Sequence, residues 1–206
     1  SEDYFIPGAA AQSEFTEKKS RFISHLWPVA SEEEARARIE EMRKTYYDAR
    51  HNCWCYLLKE GGVVRYSDDG EPAKTAGLPV LEAIRHAGLT DCVVVVTRYF
   101  GGILLGTGGL VRAYTAAASG ALQQAELVSM RLVVDCSVRV SYAQFEQAQR
   151  IIAAAETRLD EPVFDDAVTL CWRMPAGQEG ALCTALNELT RGGAEVEISK
   201  PQYAPF

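Results

Sequence analysis

The densest chemical signal in the chain is Arg98-Tyr99-Phe100-Gly101-Gly102-Ile103-Leu104-Leu105-Gly106-Thr107-Gly108-Gly109-Leu110. Five glycines stand between an apolar run that reads as a buried strand and a sequence that reads as the start of a helix. At such a junction backbone N–H groups point outward and the helix dipole adds positive potential, so an anion can sit there. Gly101 to Gly106 has the G-x-x-x-x-G spacing of a phosphate-binding loop, but Thr107-Gly108 stands where that motif needs Lys-Ser/Thr. The ordinary nucleotide loop is thereby excluded. Two readings stay open: an anion site built on Gly106, Thr107, Gly108 and Gly109, or glycines that only permit positive φ and close strand–helix packing.

Three further segments carry groups capable of chemistry. In Arg50-His51-Asn52-Cys53-Trp54-Cys55-Tyr56, strand alternation puts His51, Cys53 and Cys55 on one face and Arg50, Trp54 and Tyr56 on the other. The first face has zinc-ligand chemistry but no fourth ligand nearby, and a Cys-Cys-Leu57 face is also what a core looks like. The second face offers a cation beside rings on which bases stack. Ser67-Asp68-Asp69-Gly70-Glu71-Pro72 holds three carboxylates that suit Mg²⁺ through a bridging phosphate, or equally a solvated turn. Lys18-Lys19-Ser20-Arg21 is a short basic run between Glu14 and Glu17. With Arg50, Lys74, Arg98 and Arg112, its Lys19 and Arg21 are expected to assemble one positive patch. His25 and His86 have no sequence partner that makes a catalytic triad, and neither G-x-S-x-G nor H-E-x-x-H occurs. No catalytic residue, metal site or cofactor is expected.

Composition narrows the partners. The formal net charge of −7 argues against bulk attraction to nucleic acid. The residues before Leu132 carry 15 basic and 17 acidic groups, and those from Leu132 on carry 6 and 11. A nucleic-acid contact is therefore a local patch on the first part. No apolar run approaches the roughly 20 residues of a membrane helix, and Ser1 to Ala11 lacks the basic and apolar regions of a secretory signal. Six cysteines without C-x-x-C spacing fit a reducing, cytoplasmic location.

The elements that must position these groups fall into two parts, 1–130 and 131–206. In the first, the sequence predicts strands around Phe15–Thr16, Arg21–Val29, Arg50–Leu58, Val63–Ser67 and Cys92–Thr97. Ser31 opens a helix with a capping box to Glu34, another helix carries Ala76, Val80, Leu81 and Ile84 inward, and a long one runs from about Gly108 to Leu127. In the second part, alternation from Leu132 to Tyr142 predicts a half-covered strand. A helix with Phe145, Ala148, Ile152 and Ala155 inward follows, then two strands turning near Asp165-Asp166, a helix ended by Gly192-Gly193, and a last strand with Ala194, Val196 and Ile198 inward. That order is βαββαβ, a ferredoxin-like unit.

Lys19-Ser20-Arg21-Phe22-Ile23, Asp48-Ala49-Arg50-His51-Asn52-Cys53, Ser67–Pro72 with Thr75-Ala76-Gly77 and Pro79, and Arg98 through Tyr114 occur in an order that resembles the YigZ/IMPACT family. The resemblance covers almost the whole chain. It implies a two-domain α+β protein. The first domain would have the left-handed β-α-β fold of elongation factor G domain IV, the GHMP kinases and a small-subunit ribosomal protein, and the second would be similar to elongation factor G domain V. It also implies a translation-linked role, since eukaryotic relatives regulate translation by competing for an activator of an amino-acid-starvation kinase. Two positions depart from the family: Lys74 stands where relatives carry glycine, and Cys55 where a small residue is usual.

Three functions follow as expectations. The leading one is an RNA- or ribosome-binding protein using Lys19, Arg21, Arg50, Trp54, Lys74, Arg98, Gly106, Thr107, Gly108, Gly109 and Arg112. The others are a binder or enzyme of phosphorylated small molecules at the glycine loop, and a module that meets a protein partner through the wet sheet face around Asp135, Ser137 and Arg139.

Overall fold

The computed structural model describes residues 3–206. They form two compact units, one of Tyr4–Val128 and one of Ser129–Phe206 with Asp3. The first unit runs β1 (Tyr4–Pro7), β2 (Ala11–Glu17), β3 (Ser20–Pro28), α1 (Glu32–Thr45), β4 (His51–Leu58), β5 (Val63–Ser67), α2 (Gly77–His86), β6 (Cys92–Tyr99) and α3 (Gly106–Gln124). Its five-stranded sheet has the order β2-β3-β6-β4-β5, with every pairing antiparallel. β3 and β4 therefore run parallel, and β6 fills the gap between them.

The alternation of β6 decides the layers. Val94 and Val96 face one way, where Phe22, Leu26, Cys53, Cys55 and Leu57 pack against α2 and α3. Val93 and Val95 face the other, where Ala35, Ile39 and Met42 of α1 close a second core with Tyr56 and Leu58. A strand covered on both faces needs a near-continuous β-branched run, which Cys92–Thr97 supplies. α1 begins as its sequence requires, with Ser31 Oγ accepting from Glu34 N at 3.2 Å. The return bond differs from a capping box: Glu34 Oε2 accepts from Ala30 N at 2.7 Å, one residue before the cap. β1 has no counterpart in the sequence-based expectation, and it joins the loop after α2 through Phe5 N to Gly88 O at 3.3 Å and Thr90 N to Phe5 O at 3.0 Å.

The second unit runs β7 (Leu127–Val140), α4 (Tyr142–Ala154), β8 (Arg158–Leu159), β9 (Val163–Phe164), β10 (Val168–Pro175), α5 (Glu179–Leu189), β11 (Glu197–Ile198) and β12 (Gln202–Pro205). β10 pairs antiparallel with β7 on one side and with β8 and β9 on the other, while β11 and β12 pair antiparallel with β7. Counting each broken strand once, the order is 4-1-3-2, that of a ferredoxin-like unit. Val134, Cys136, Val138, Val140, Leu170 and Trp172 bury one face under α4 and α5.

Three boundaries correct the expectation. α3 begins at Gly106 and ends at Gln124, so Leu127 belongs to β7 and is exposed. Tyr142 is not the inward end of a strand but the first residue of α4, and it is exposed. The last strand is two short pieces, and Ile198 lies exposed in the first of them. Pro201 separates these pieces, as Pro162 separates β8 from β9; each lacks the N–H that a continuous ladder needs.

Candidate functional site

Strand register brings the first pair of groups together. His51 at the start of β4 lies opposite Arg98 near the end of β6. Both sit at the end of the sheet face that α2 and α3 cover. The loop after β5 then folds back over them. Asp68 organises this loop: its carboxylate accepts from the backbone N of Lys74, Ala76 and Gly77 at 2.9, 3.1 and 2.9 Å. It thereby caps α2, whose own N-cap residue, Ala76, has no side chain to do so. Asp69 Oδ2 accepts from Asn52 N at 2.7 Å, pinning the loop to β4.

The result is a buried ion cluster centred on Glu71. Its carboxylate accepts from Arg98 Nη1 at 3.0 and 2.8 Å and from Tyr114 Oη at 2.7 Å, and pairs with His51 Nε2 at 3.0 Å. The Glu71 and Arg98 side chains are 4% and 5% exposed. His51 Nδ1 lies 2.8 Å from the carbonyl oxygen of Asp69, so that nitrogen is a donor in this arrangement. Arg98 Nε and Nη2 reach Ser20 Oγ at 3.3 Å, and Gly101 N donates to the same hydroxyl at 3.3 Å. Burial pushes the Tyr114 phenol far above its ordinary range, so it stays a neutral donor to Glu71. Burial likewise pushes the Cys53 thiol up, and its Sγ lies 3.4 Å from Tyr114 Oη. One carboxylate thus ties β4, β6, the Asp68–Pro72 loop and α3 together.

The glycine-rich segment leaves this cluster and starts α3. A side chain at Gly101 would place its Cβ 2.0 Å from the carbonyl oxygen of Lys19, so only glycine lets the segment cross the β2–β3 turn. Gly102 and Gly106 have φ of 90° and 75°, a region that L-residues avoid. Between them Leu104 is 81% exposed. α3 then begins with neither a side-chain cap nor an acidic residue in its first turn. The first N–H groups of a helix have no partner within it, and at Gly106, Thr107 and Gly108 they belong to exposed residues. A hollow of about 260 Å³ lies here, floored by His51, Glu71 and Arg98 and walled by Phe100, Leu104 and Thr107. On the other side of Leu105, a hollow of about 280 Å³ is lined by Lys18, Gly109 and Arg112.

The expected site residues divide accordingly. Gly106 and Thr107 meet Arg50 and Arg98 at the first hollow, and Arg50 stacks 4.6 Å from the centre of the Phe100 ring. Lys19 lies against Gly101, while Arg112 reaches along Gly108 and Gly109. Arg98 is the floor of the site rather than a ligand-facing cation, because Glu71 holds it. Arg21 is exposed and paired with Glu14. Lys74 is exposed at φ 63° and lines a different groove, between α2 and α3. Trp54 packs toward the α1 side, stacked 5.6 Å from Tyr56, so it gives the glycine loop no stacking platform.

The metal-capable side chains take other roles. Cys53 and Cys55 are core residues, and His51 spends both ring nitrogens on the loop. The three carboxylates are consumed by backbone N–H groups and by Arg98, so Mg²⁺ has no carboxylate to take. Among the described residues no group of His, Cys, Asp or Glu is arranged to hold a metal.

Tyr114 and Ser20 escaped the sequence reading because they lie 43 and 51 residues from Glu71 along the chain. The one available signal was a tyrosine on the apolar stripe of α3, where a phenol needs a buried partner.

This arrangement, a β-α-β sheet core with a glycine-rich helix start followed by a ferredoxin-like unit, defines a two-domain α+β class. Residues 18–122 match the Impact N-terminal domain, and residues 138–192 match a domain of unknown function, DUF1949. The chain is 33% identical over 97% of its length to "IMPACT family member YvyE" of Bacillus subtilis, covering 93% of that protein. It is 40% identical over 87% of its length to "IMPACT family member in pol 5'region" of Thermus thermophilus, covering 98% of it. A crystal structure of a hypothetical protein superposes with a TM-score of 0.61 at 31% identity, over 97% of this chain and 98% of that one. The chain belongs to the IMPACT family. No helix among its described residues is long and apolar enough to cross a membrane.

Proposed function

We propose that the chain is an RNA-binding protein that acts in the cytoplasm on the translation machinery, gripping phosphates around the first turn of α3. One observation carries this reading: exposed Lys18, Lys19, Arg50 and Arg112 flank a helix start whose first turn holds no acidic residue. Such a start favours an anion through its unpaired N–H groups and its dipole, and the cations extend the attraction along a nucleic-acid backbone. The chain's net charge of −7 makes the contact local rather than general. Ribosome co-sedimentation across a salt titration tests it. Association at low salt that weakens steeply as salt rises is expected, and association that is absent at low salt or indifferent to salt overturns it.

A small phosphorylated ligand is the second reading, favoured by the size of the roughly 260 Å³ hollow and its buried polar floor. It predicts that a nucleotide alone, without added metal, raises the melting temperature.

A further inference from the structure

The turn between β2 and β3 is built against its own local preference. Glu17 pairs with Ser20, leaving Lys18 and Lys19 as the whole loop. Both have positive φ, 45° and 66°. Among two-residue hairpin turns this is the I′ type, which Asn-Gly fills most readily. Long L-side chains at both positions are disfavoured, and adjacent like charges repel. Neither lysine takes part in an ion pair among the described residues, nor does Arg112 across the roughly 280 Å³ hollow that Lys18 and Arg112 share. Nearby Arg21 is neutralised by Glu14; the one carboxylate lining this hollow is that of Glu17. Lys18 and Arg112 thus face one hollow and Lys19 stands beside Lys18 against Gly101, none of the three ion-paired among the described residues, where the turn gains nothing locally from carrying its lysines. A sequence that departs from local preference without local compensation marks a functional position.

We infer that the Lys18-Lys19 turn is a phosphate-gripping element, its two ammonium groups acting with the Arg112 guanidinium to hold successive phosphates of single-stranded RNA. This rests on the RNA-binding reading and adds the residues that set affinity. With or without a ligand, the turn trades stability for charge.

The test is a Lys18→Asn/Lys19→Gly variant of the full chain, beside a Lys18→Gln/Lys19→Gln variant. Each is measured by melting temperature and by titration of a fluorescently labelled single-stranded RNA oligonucleotide at several salt concentrations. The Asn-Gly variant is expected to melt about 2–6 °C higher, because its residues suit the I′ turn. Both variants are expected to bind RNA more weakly, with a log–log salt slope shallower by about 1.4, the release accompanying two lost single-strand contacts. The Gln variant is expected to lose binding without the gain in melting temperature, which separates charge from turn geometry. If the unaltered chain binds and the variants bind equally, with the same salt slope, the inference fails while the RNA reading stands. If the unaltered chain binds no RNA at the lowest salt, both fail. If the Asn-Gly variant melts lower, the trade of stability for charge is refuted.

Discussion

Replacing Glu71 by glutamine removes one charge and almost no volume, and it should destabilise the first unit far more than a surface carboxylate would. The Glu71 carboxylate is the counter-charge of Arg98, whose side chain is 5% exposed, and it also receives Tyr114 and His51. Glutamine offers a single acceptor oxygen to this group of donors and adds two donors of its own. Breaking a buried pair on one side costs about 3–5 kcal/mol, because the remaining charge is left without compensation. The unit of Tyr4–Val128 spans about 125 residues, giving an unfolding entropy of about 0.26 kcal/mol/K and a drop of roughly 11–19 °C in its melting temperature. Differential scanning calorimetry of the full chain reads this as the transition of one unit moving down. The decisive comparison is a Glu71→Gln/Arg98→Met double variant. If the buried guanidinium is the cause, removing it should recover a large part of the loss, giving a coupling of about 1–3 kcal/mol. A Glu71→Gln cost below about 1 kcal/mol, or a double variant as unstable as the sum of the single ones, would refute the reasoning.

Gly101→Ala drives a Cβ to within 2.0 Å of the Lys19 carbonyl oxygen, and neither backbone segment has a flexible end with which to yield. The β2–β3 turn and the helix start should separate, so circular dichroism melts are expected to show a loss of several degrees and RNA titrations a loss of affinity. Unchanged melting and binding would contradict the packing described. In the second unit, the hydrogen bond from Arg173 holds the Asp135 carboxyl below its ordinary 3.8. Since the folded value is the lower one, this contribution is present above about pH 4 and disappears as pH falls through the depressed value. Both side chains are substantially exposed, so screening keeps the effect within about 1 kcal/mol. Asp135→Asn should lower stability at pH 7 and leave it nearly unchanged near pH 2, as measured by denaturant midpoints.

How far the sequence reveals this molecule depends on the range of the interaction read. Periodicity reports what one element buries, and there it served well: the unbroken Cys92–Thr97 run lies in β6, and Val168, Leu170, Trp172 and Met174 face the second core as their alternation requires. Local chemistry that competes with neighbours was harder to place. Glu34 caps one residue earlier than its spacing implies, and α3 starts at Gly106 because glycine's tolerance of φ 75° lets the chain turn there. The site lies at the far end of this scale. Arg98 reads in isolation as a free cation, and Asp68, Asp69 and Glu71 read as metal-ready acids. Only the register His51↔Arg98 and the fold of one loop show that Glu71 cancels the charge of Arg98 while Asp68 and Asp69 take backbone N–H groups.

That cancellation changes what the glycine-rich segment means. With Arg98 held by Glu71, the attraction for an anion must come from groups that remain unpaired: the first N–H groups of α3 and the cations at its rim. The buried cluster then serves as the rigid anchor from which the helix start is presented, because Tyr114 fixes α3 to the same carboxylate that fixes β6 and β4. A buried charge pair at the floor and exposed charges at the rim are separable by measurement. Glu71→Gln should move stability and binding together, whereas Lys18→Asn/Lys19→Gly should move them in opposite directions. Finding both pairs moving in the same sense would mean that the rim is also structural, and the division of labour argued for this site would collapse.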